Sequence, residues 1–581
     1  MKLFQQPDLG FCQHCWQRCY QLLLVIVLAC TTGAAQSGAP KAVFASQGMV
    51  ASAEALASQV GVDILKAGGN AVDSAVAVGF ALAVTFPQAG NLGGGGFMLL
   101  RMAAAESSIA IDYREKAPLA ATSKMFLDRA GTVDKKRARF SHLSVGVPGT
   151  VAGLLLAQKR YGRLPRAAVL APAIALAENG FRMPAALTES FERRRERFSQ
   201  WPATMAVTFK PDGSAYPPGA LFRQGDLAAV LKRISKQGHA GFYSGKTARL
   251  IAADMRRHGG LITMADFAAY QAVVRPVVSG SYRGYQIESM PPPSSGGVHL
   301  VQMLNMLSAF PIAEWGHNKL PTIHTMVEVM RRAYADRSEH LGDPDFWSVP
   351  LSGLTNPRYA ADLIADIDPQ LATPSVKIKP GKPAAYESPE TTHYSIIDGD
   401  GNAVSNTYTL NFGYGTGIVA AGTGIFLNNE MDDFSAKPGS PNAYGLIGGA
   451  ANAIAAQKRP LSSMTPTLVS RDGQVVLATG SPGGSRIITS VLQMVMNVID
   501  HRMDIATATQ ASRFHHQWWP DHIRIEEGLS QEVQAGLRQR GHKLKPTGRI
   551  GSVHSVMRTG QGFYGFSDRR RARGKAIGFD G

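Results

Sequence analysis

Hydrophobic positions along this chain keep several different spacings, and each change of spacing marks a new part. Leu22 to Ala29 (LLLVIVLA) is apolar throughout, with no polar face. A run this short does not span a bilayer as a stable helix. Lys2 and Arg18 precede it and the small residues Thr31 to Ala35 follow, which is the layout of a secretory signal peptide. Two exits fit: cleavage near Ala35, or lipidation of Cys30 within the lipobox-like Val27-Leu28-Ala29-Cys30. Either predicts export, to the periplasm or to the envelope of a Gram-negative-type bacterium. From Ser52 to Lys66 the spacing becomes helical, with Leu56, Val60 and Ile64 on one face and Gly68-Gly69 as the stop. Asn70 then predicts a cap for a second helix, with Asp73 in its first turn. Val72 to Val84 is apolar on every side, which predicts a helix buried all round. Asn91-Leu92 and four glycines, Gly93 to Gly96, lead into a strand from Phe97 to Arg101. Four consecutive glycines require close backbone approach or special torsions. The order helix, glycines, strand is the reverse of a dinucleotide-binding loop.

Residues 150 to 275 return to helical spacing with many charges. Within them Arg193-Arg194-Arg195-Glu196-Arg197 reads as a solvated helix face rather than a nucleic-acid patch. Pro291-Pro292-Pro293-Ser294-Ser295-Gly296-Gly297 is a loop ahead of another helix. Periodicity is lost from 371 to 390, a polar stretch rich in Pro, Lys and Gly that predicts an exposed, cleavable segment. Then Thr391 to Asn411 (TTHYSIIDGDGNAVSNTYTLN) sets two strand-like runs around Asp398-Gly399-Asp400-Gly401-Asn402, a hairpin signal. A turn centred on Asp400 pairs residues whose numbers add to 800, so Thr409 falls opposite Thr391 and Asn411 lies on the same face. Asn428-Asn429-Glu430-Met431-Asp432-Asp433 follows a short strand from Gly424 to Leu427. It clusters amides and carboxylates, although by itself it reads as an Asx-rich turn. Residues 438 to 456 form a loop of lid length around Tyr444. A strand from Val475 to Thr479 enters Gly480-Ser481-Pro482-Gly483-Gly484-Ser485-Arg486, with a helix from about Ile487. Free backbone N–H groups at such a turn suit an anion or oxyanion.

Composition narrows the picture. With 45% hydrophobic and 18% charged residues, the chain has ample core and is not disordered overall. The net charge of +17 bears on solubility and envelope contact more than on function. All four cysteines lie in the first 30 residues, so no disulfide or thiolate metal framework holds the body together. Cys12-x-x-Cys15 falls within the leader. The sequence has no HExxH, GxSxG or Walker motif, and His515-His516 and His393 lack ligand spacing. His516, ahead of Gln517-Trp518-Trp519, reads as a structural histidine.

Taken together, GMVASAEALASQVGVDILKAGGNAVDSAVA, NLGGGGF, DYREKAP, PPPSSGG, TTHYSIIDGDGNAVSNTYTLN, LNNEMDDFSAKPG, KRPLSSMTPT, TGSPGGSRI and RFHHQW resemble the γ-glutamyltransferase (γ-glutamyltranspeptidase) family of N-terminal-nucleophile hydrolases. The resemblance runs from about Gly48 to Asp568. It implies an α/β fold, a four-layer αββα sandwich made as one composite domain. It also implies a precursor that cuts itself between Glu390 and Thr391, after a leader of 1–35, into a large subunit 36–390 and a small catalytic subunit 391–581 that stay together as a heterodimer. No cofactor, metal or nucleic acid is implied. The usual Ser-Asp-Pro-Arg ending becomes Ser567-Asp568-Arg569-Arg570, and the basic tail from Arg569 to Lys575 is expected to be a solvated terminus.

The chemistry implied is coherent. A threonine hydroxyl attacks poorly unless a base lies beside it. Cleavage frees the Thr391 α-amine, which titrates near neutrality and acts as that base. By the resemblance, Thr409 orients the Thr391 hydroxyl and the Gly483 and Gly484 N–H groups hold the oxyanion. Arg114, Ser462 and Ser463 take the glutamyl α-carboxylate, for which a guanidinium fork is suited. Asn411, Glu430 and Asp433 take the α-ammonium, and Tyr444 belongs to a lid. The expected substrates are glutathione and related γ-glutamyl compounds, with water or amino acids and peptides as acceptors. Two alternatives stay open: an acylase on the same fold that cuts glutaryl or cephalosporin-type amides, and an uncleaved secreted binding protein.

Overall fold

Strand Gly95–Arg101 sends Phe97 and Leu99 to one face and Met98 and Leu100 to the other, and all four are buried. A strand that is apolar on both faces belongs to a sheet covered on both sides. The computed structural model describes residues 40–383, 394–571 and 573–581. The leader with Cys30, and Glu390 and Thr391, lie outside the described residues.

Within Ala42–Gly581 two seven-stranded antiparallel sheets are stacked. One runs in the order Lys575–Phe579, Gly48–Ser52, Ser395–Asp398, Ala403–Thr409, Gly95–Arg101, Ile109–Tyr113, Val273–Pro276. The other runs Val43–Ala45, Gly562–Ser567, His554–Thr559, Gln474–Thr479, Thr467–Arg471, Tyr285–Ser289, Val278–Tyr282. Met49, Ala51, Phe97 and Leu99 of the first join one core cluster with Leu468, Leu477 and Val556 of the second and with helices Gly296–Leu307, Leu320–His340 and Ile487–Ile499. Val50, Met98, Leu100 and Ile111 face the other way, onto helices Ala55–Lys66, Ala71–Thr85 and Thr150–Tyr161. The layers are therefore helix, sheet, sheet, helix, as expected from the sequence.

Helix Ala71–Thr85 is buried along its whole length. Asn70 caps it by accepting from the Val72 and Asp73 N–H groups, and Asp73 accepts in return from the Asn70 N–H. Phe80 is fully buried at its centre, and cutting it back to Ala is expected to cost about 3–5 kcal/mol. The helix before it starts at Ala55 rather than Ser52. Its inner face is Ala57, Val60, Ile64 and Leu65, while Leu56 is 38% exposed.

Two expectations about basic segments are corrected. In the 193–197 run, Arg193 and Arg195 are exposed and paired with Glu189 and Glu192. Arg194 and Arg197 turn inward and donate to the Ser190 and Gly413 carbonyls. The 569–575 tail is not a solvated terminus either. Arg570 is held by Glu526 at 2.6 Å, Arg573 donates to the Thr85 carbonyl at 2.5 Å, and Lys575–Phe579 pairs with Gly48–Ser52. Backbone pairing and buried carboxylates fix residues whose composition alone reads as surface.

Candidate active site

The hairpin around Asp400 has the expected register: Ser395 pairs with Ser405, Ile396 with Val404 and Ile397 with Ala403. Its second strand ends at Thr409, which pairs with Gly95. The glycine run is there because backbones meet. A Cβ on Gly94 would lie 2.0 Å from the Thr409 carbonyl oxygen, and one on Gly93 2.2 Å from that of Phe426. Asn91 completes the joint, donating from Nδ2 to the Thr409 carbonyl at 2.9 Å and accepting from the Gly94 N–H. The Thr409 hydroxyl accepts from the Asn411 N–H at 2.8 Å. Asn411 sits in the left-handed region (φ 72°) and donates to the Asn429 carbonyl.

These residues open onto a cavity of about 780 Å³ that Arg114, Thr409, Asn411, Glu430, Asp433, Tyr444, Ser462, Ser463, Gly483 and Gly484 all line. The structure thus gathers every predicted site residue that it describes, with Glu390 and Thr391 outside the described residues.

One wall of the cavity is anionic. Arg114 is fully buried at the end of strand Ile109–Tyr113, and its guanidinium meets three carboxylates: Asp433 at 2.6 Å, Glu430 at 2.8 Å and Glu115 at 3.4 Å. Its Nε donates to the Pro460 carbonyl. Burial alone would favour loss of the Arg114 proton, but Glu430, Glu115 and Asp433 outweigh it and hold the guanidinium charged. The acids are in surplus. Burial, only partly offset by Arg114, pushes Glu115 up to about 7. Burial raises Glu430 well above the usual carboxylate range, against Arg114 and with Glu115 and Asp433 adding to the rise. Glu430 Oε1 is buried and meets no donor among the described residues.

A second part of the cavity is cationic. Arg337, on helix Leu320–His340, donates to the Ser295 hydroxyl at 2.8 Å and the Ser463 hydroxyl at 3.1 Å. It forms no ion pair among the described residues, and burial pushes it down to about 10. The 291–297 loop anchors this wall, with the Ser462 N–H donating to the Pro293 carbonyl and the Ser295 N–H to that of Ser462.

At the third side, strand Gln474–Thr479 enters the glycine turn and a short 3₁₀ segment, Gly484–Arg486, before helix Ile487–Ile499. Gly483 and Gly484 take φ values of 149° and 59°, which side chains rarely adopt. Among the described residues their N–H groups donate to no protein acceptor. Tyr444 lies over the turn so closely that a Cβ on Gly484 would meet its ring at 2.5 Å. Its hydroxyl donates to Asn411 Oδ1 at 2.8 Å, and burial raises it well above the ordinary tyrosine range. Asn442 shapes this loop by accepting from the Tyr444 and Leu446 N–H groups. His516 is structural: it is buried, pairs with Asp521 at 3.3 Å and accepts from the Trp518 N–H.

The γ-glutamyltranspeptidase family model matches residues 57–578. The chain belongs to the γ-glutamyltranspeptidase family. It is 53% identical to a glutathione hydrolase proenzyme of Escherichia coli (strain K12), over 92% of each chain. Among solved structures it resembles a cephalosporin acylase from Bacillus halodurans (TM-score 0.83, 28% identity, 94% of this chain and 98% of the other). It also resembles a γ-glutamyltranspeptidase of Helicobacter pylori (TM-score 0.56, 47% identity, 57% of this chain and 94% of the other). For a γ-glutamyltranspeptidase, sequence reasoning missed two residues here: Glu115, buried against Arg114, and Arg337, which lines the cavity. Glu115 lay in plain view beside Arg114. Arg337 had no local signal, because its partners Ser295 and Ser463 come from distant segments.

Proposed function

We propose that this γ-glutamyltranspeptidase cuts itself before Thr391 and then transfers the γ-glutamyl group of glutathione and related compounds to water or to amino-acid and peptide acceptors. The Thr391 hydroxyl attacks the Glu390 carbonyl, the peptide C–N bond breaks to leave an ester and a free α-amine, and water hydrolyses that ester, releasing the Glu390 carboxylate and restoring the hydroxyl. That amine takes the proton of the Thr391 hydroxyl, which attacks the donor's γ-carbonyl. The Gly483 and Gly484 N–H groups receive the oxyanion, and Thr409 orients the nucleophile. The leaving amine departs protonated, and water or an acceptor amine resolves the γ-glutamyl-threonine ester. The large and small subunits, 36–390 and 391–581, remain one heterodimer. The chain is exported through its leader, with Cys30 as the residue that would carry a lipid.

The observation that carries the reading is the unequal charge of the two walls. Three carboxyl groups share Arg114, whereas Arg337, beside Ser463, forms no ion pair among the described residues. An α-amino acid head is the ligand that needs both. Ser462 and Ser463 take its carboxylate, with Arg114 and Arg337 supplying positive charge. Asn411, Glu430 and Asp433 take its ammonium. The likeness to a cephalosporin acylase keeps a second substrate class, glutaryl and other acyl amides, in view. Such a group has no ammonium for the acidic wall. N-terminal sequencing of the smaller fragment should read Thr-Thr-His-Tyr-Ser, and Thr391→Ala should leave the chain whole and inactive. Rates on a γ-glutamyl anilide should far exceed those on the matching glutaryl amide; the reverse order would transfer the assignment to the acylase reading.

A further inference from the structure

Away from the cavity, three metal-ligating side chains meet between two elements of the large-subunit segment. His142 opens a short 3₁₀ turn, His142–Ser144, behind helix Lys135–Phe140. Asp254 and His258 come one turn apart from the end of helix Lys246–Arg257, so they share one face. One ligand atom from each of the three lies within 4.8 Å of the others. His142 Nε2 and Asp254 Oδ2 are 3.0 Å apart, and both residues are buried, whereas His258 is exposed. Asp254 has no Lys or Arg partner among the described residues; His142 is its one ion-pair partner there. The imidazoles of His142 and His258 lie nearly parallel with centroids 4.7 Å apart. Trp201 meets both edge-on, at 5.0 and 5.5 Å.

We propose that His142, Asp254 and His258 bind a divalent transition-metal ion of the zinc type, with water in the fourth position. Two imidazoles and one carboxylate are a nitrogen-and-oxygen set that suits zinc, whereas calcium and magnesium call for oxygen alone. Around zinc, with bonds of roughly 2.0–2.1 Å, tetrahedral ligand atoms lie about 3.4 Å apart. The His142–Asp254 pair is already close to that spacing. The remaining gap closes by a turn of the exposed His258 ring, the one ligand not packed on every side. Trp201 supplies an apolar wall that restricts water to the open side. The ion neutralises a carboxylate that has no guanidinium or ammonium beside it among the described residues.

The consequence of binding is mechanical. The ion ties the 142–144 turn to helix Lys246–Arg257. The helix just before that turn carries Arg139, whose Nε holds Asp432 Oδ1 at 3.0 Å, next to Asp433 of the acidic wall. The site is thus a brace behind the loop that presents Asp433, separate from the reacting groups.

The test uses the untagged full-chain protein, stripped of metal with a chelator and titrated calorimetrically with zinc chloride. One zinc per chain is expected, together with a rise in Tm. His258→Ala, at an exposed position, should fold normally, keep γ-glutamyl transfer in metal-free buffer, weaken zinc binding by more than roughly tenfold and abolish the rise in Tm. Asp254→Asn should weaken binding in the same way. Cobalt in place of zinc should give the visible bands of a four-coordinate nitrogen-and-oxygen site in the parent and none in His258→Ala. A parent protein that takes up no zinc overturns the proposal. So does uptake that His258→Ala leaves unchanged, since the ion would then sit elsewhere.

Discussion

Arg114 and Arg337 line the same cavity and have opposite surroundings. Arg114 is shared by Asp433, Glu430 and Glu115, so its corner is crowded with acid groups, two of which burial pushes toward the protonated form. Arg337 touches only hydroxyl and carbonyl oxygens, so its corner carries a positive charge with no acid attached. Neither corner is a satisfied ion pair. Buried charges left unbalanced in this way are costly to the empty protein, and they persist where a ligand supplies the missing partner. The contrast is that one corner gathers acid groups about its arginine, while the other holds an arginine with no ion pair among the described residues.

The largest break in that contrast is Arg114→Ala, which leaves three buried carboxylates without a cation. Breaking a buried pair of this kind should cost about 3–5 kcal/mol of stability and lower kcat/KM on a γ-glutamyl anilide by roughly three orders of magnitude; denaturant melts and steady-state rates check both. Asp433→Asn removes one acid and keeps Arg114 partnered. KM for the γ-glutamyl donor should rise about 10- to 100-fold, with little change on the glutaryl amide that has no ammonium to lose. A parallel loss on both substrates would mean that Asp433 holds the fold rather than the ligand.

The other corner is broken by Arg337→Met. KM should rise about tenfold with kcat nearly unchanged, and Arg337→Lys should recover part of the loss. A fall in kcat alone, with KM steady, would remove Arg337 from substrate recognition.

The gentlest test is pH. Burial pushes Glu115, beside Arg114, up to about 7, above the carboxylate range. The wall therefore gains negative charge as pH rises, and KM for the γ-glutamyl donor should fall several-fold from about pH 6 to about pH 8, with Glu115→Gln flattening the profile. Stability runs the other way. The folded state holds the Glu115 proton that the unfolded chain releases near its ordinary value, so this contribution is full below about 4.5 and is lost as pH rises through about 7.

Much of this was readable in the sequence where the signal was local. The turn at Asp400 set the register of Ser395 against Ser405, and the glycines before Phe97 announced a close crossing of backbones. The turn from Thr479 to Ile487 could be placed because strand, glycines and helix follow one another directly. Arg337 could not be found this way. It sits in a helix whose other arginines, Arg331 and Arg332, pair with Glu328, and only the stacking of layers carries it to Ser463. The basic tail was misread for a related reason, since the acids that hold Arg570 come from Glu526 and Asp568 in the folded chain. Composition reports how many charges there are, but pairing depends on which segments meet.

Strand Lys575–Phe579 lies beside Gly48–Ser52, which in turn lies beside Ser395–Asp398. Neighbours in space are here more than 500 residues apart in the chain. A ribosome must finish residue 579 before the border of that sheet can form, so a nascent chain carries an open, sticky margin until its end emerges. A chain that stops short of residue 575 keeps that margin bare.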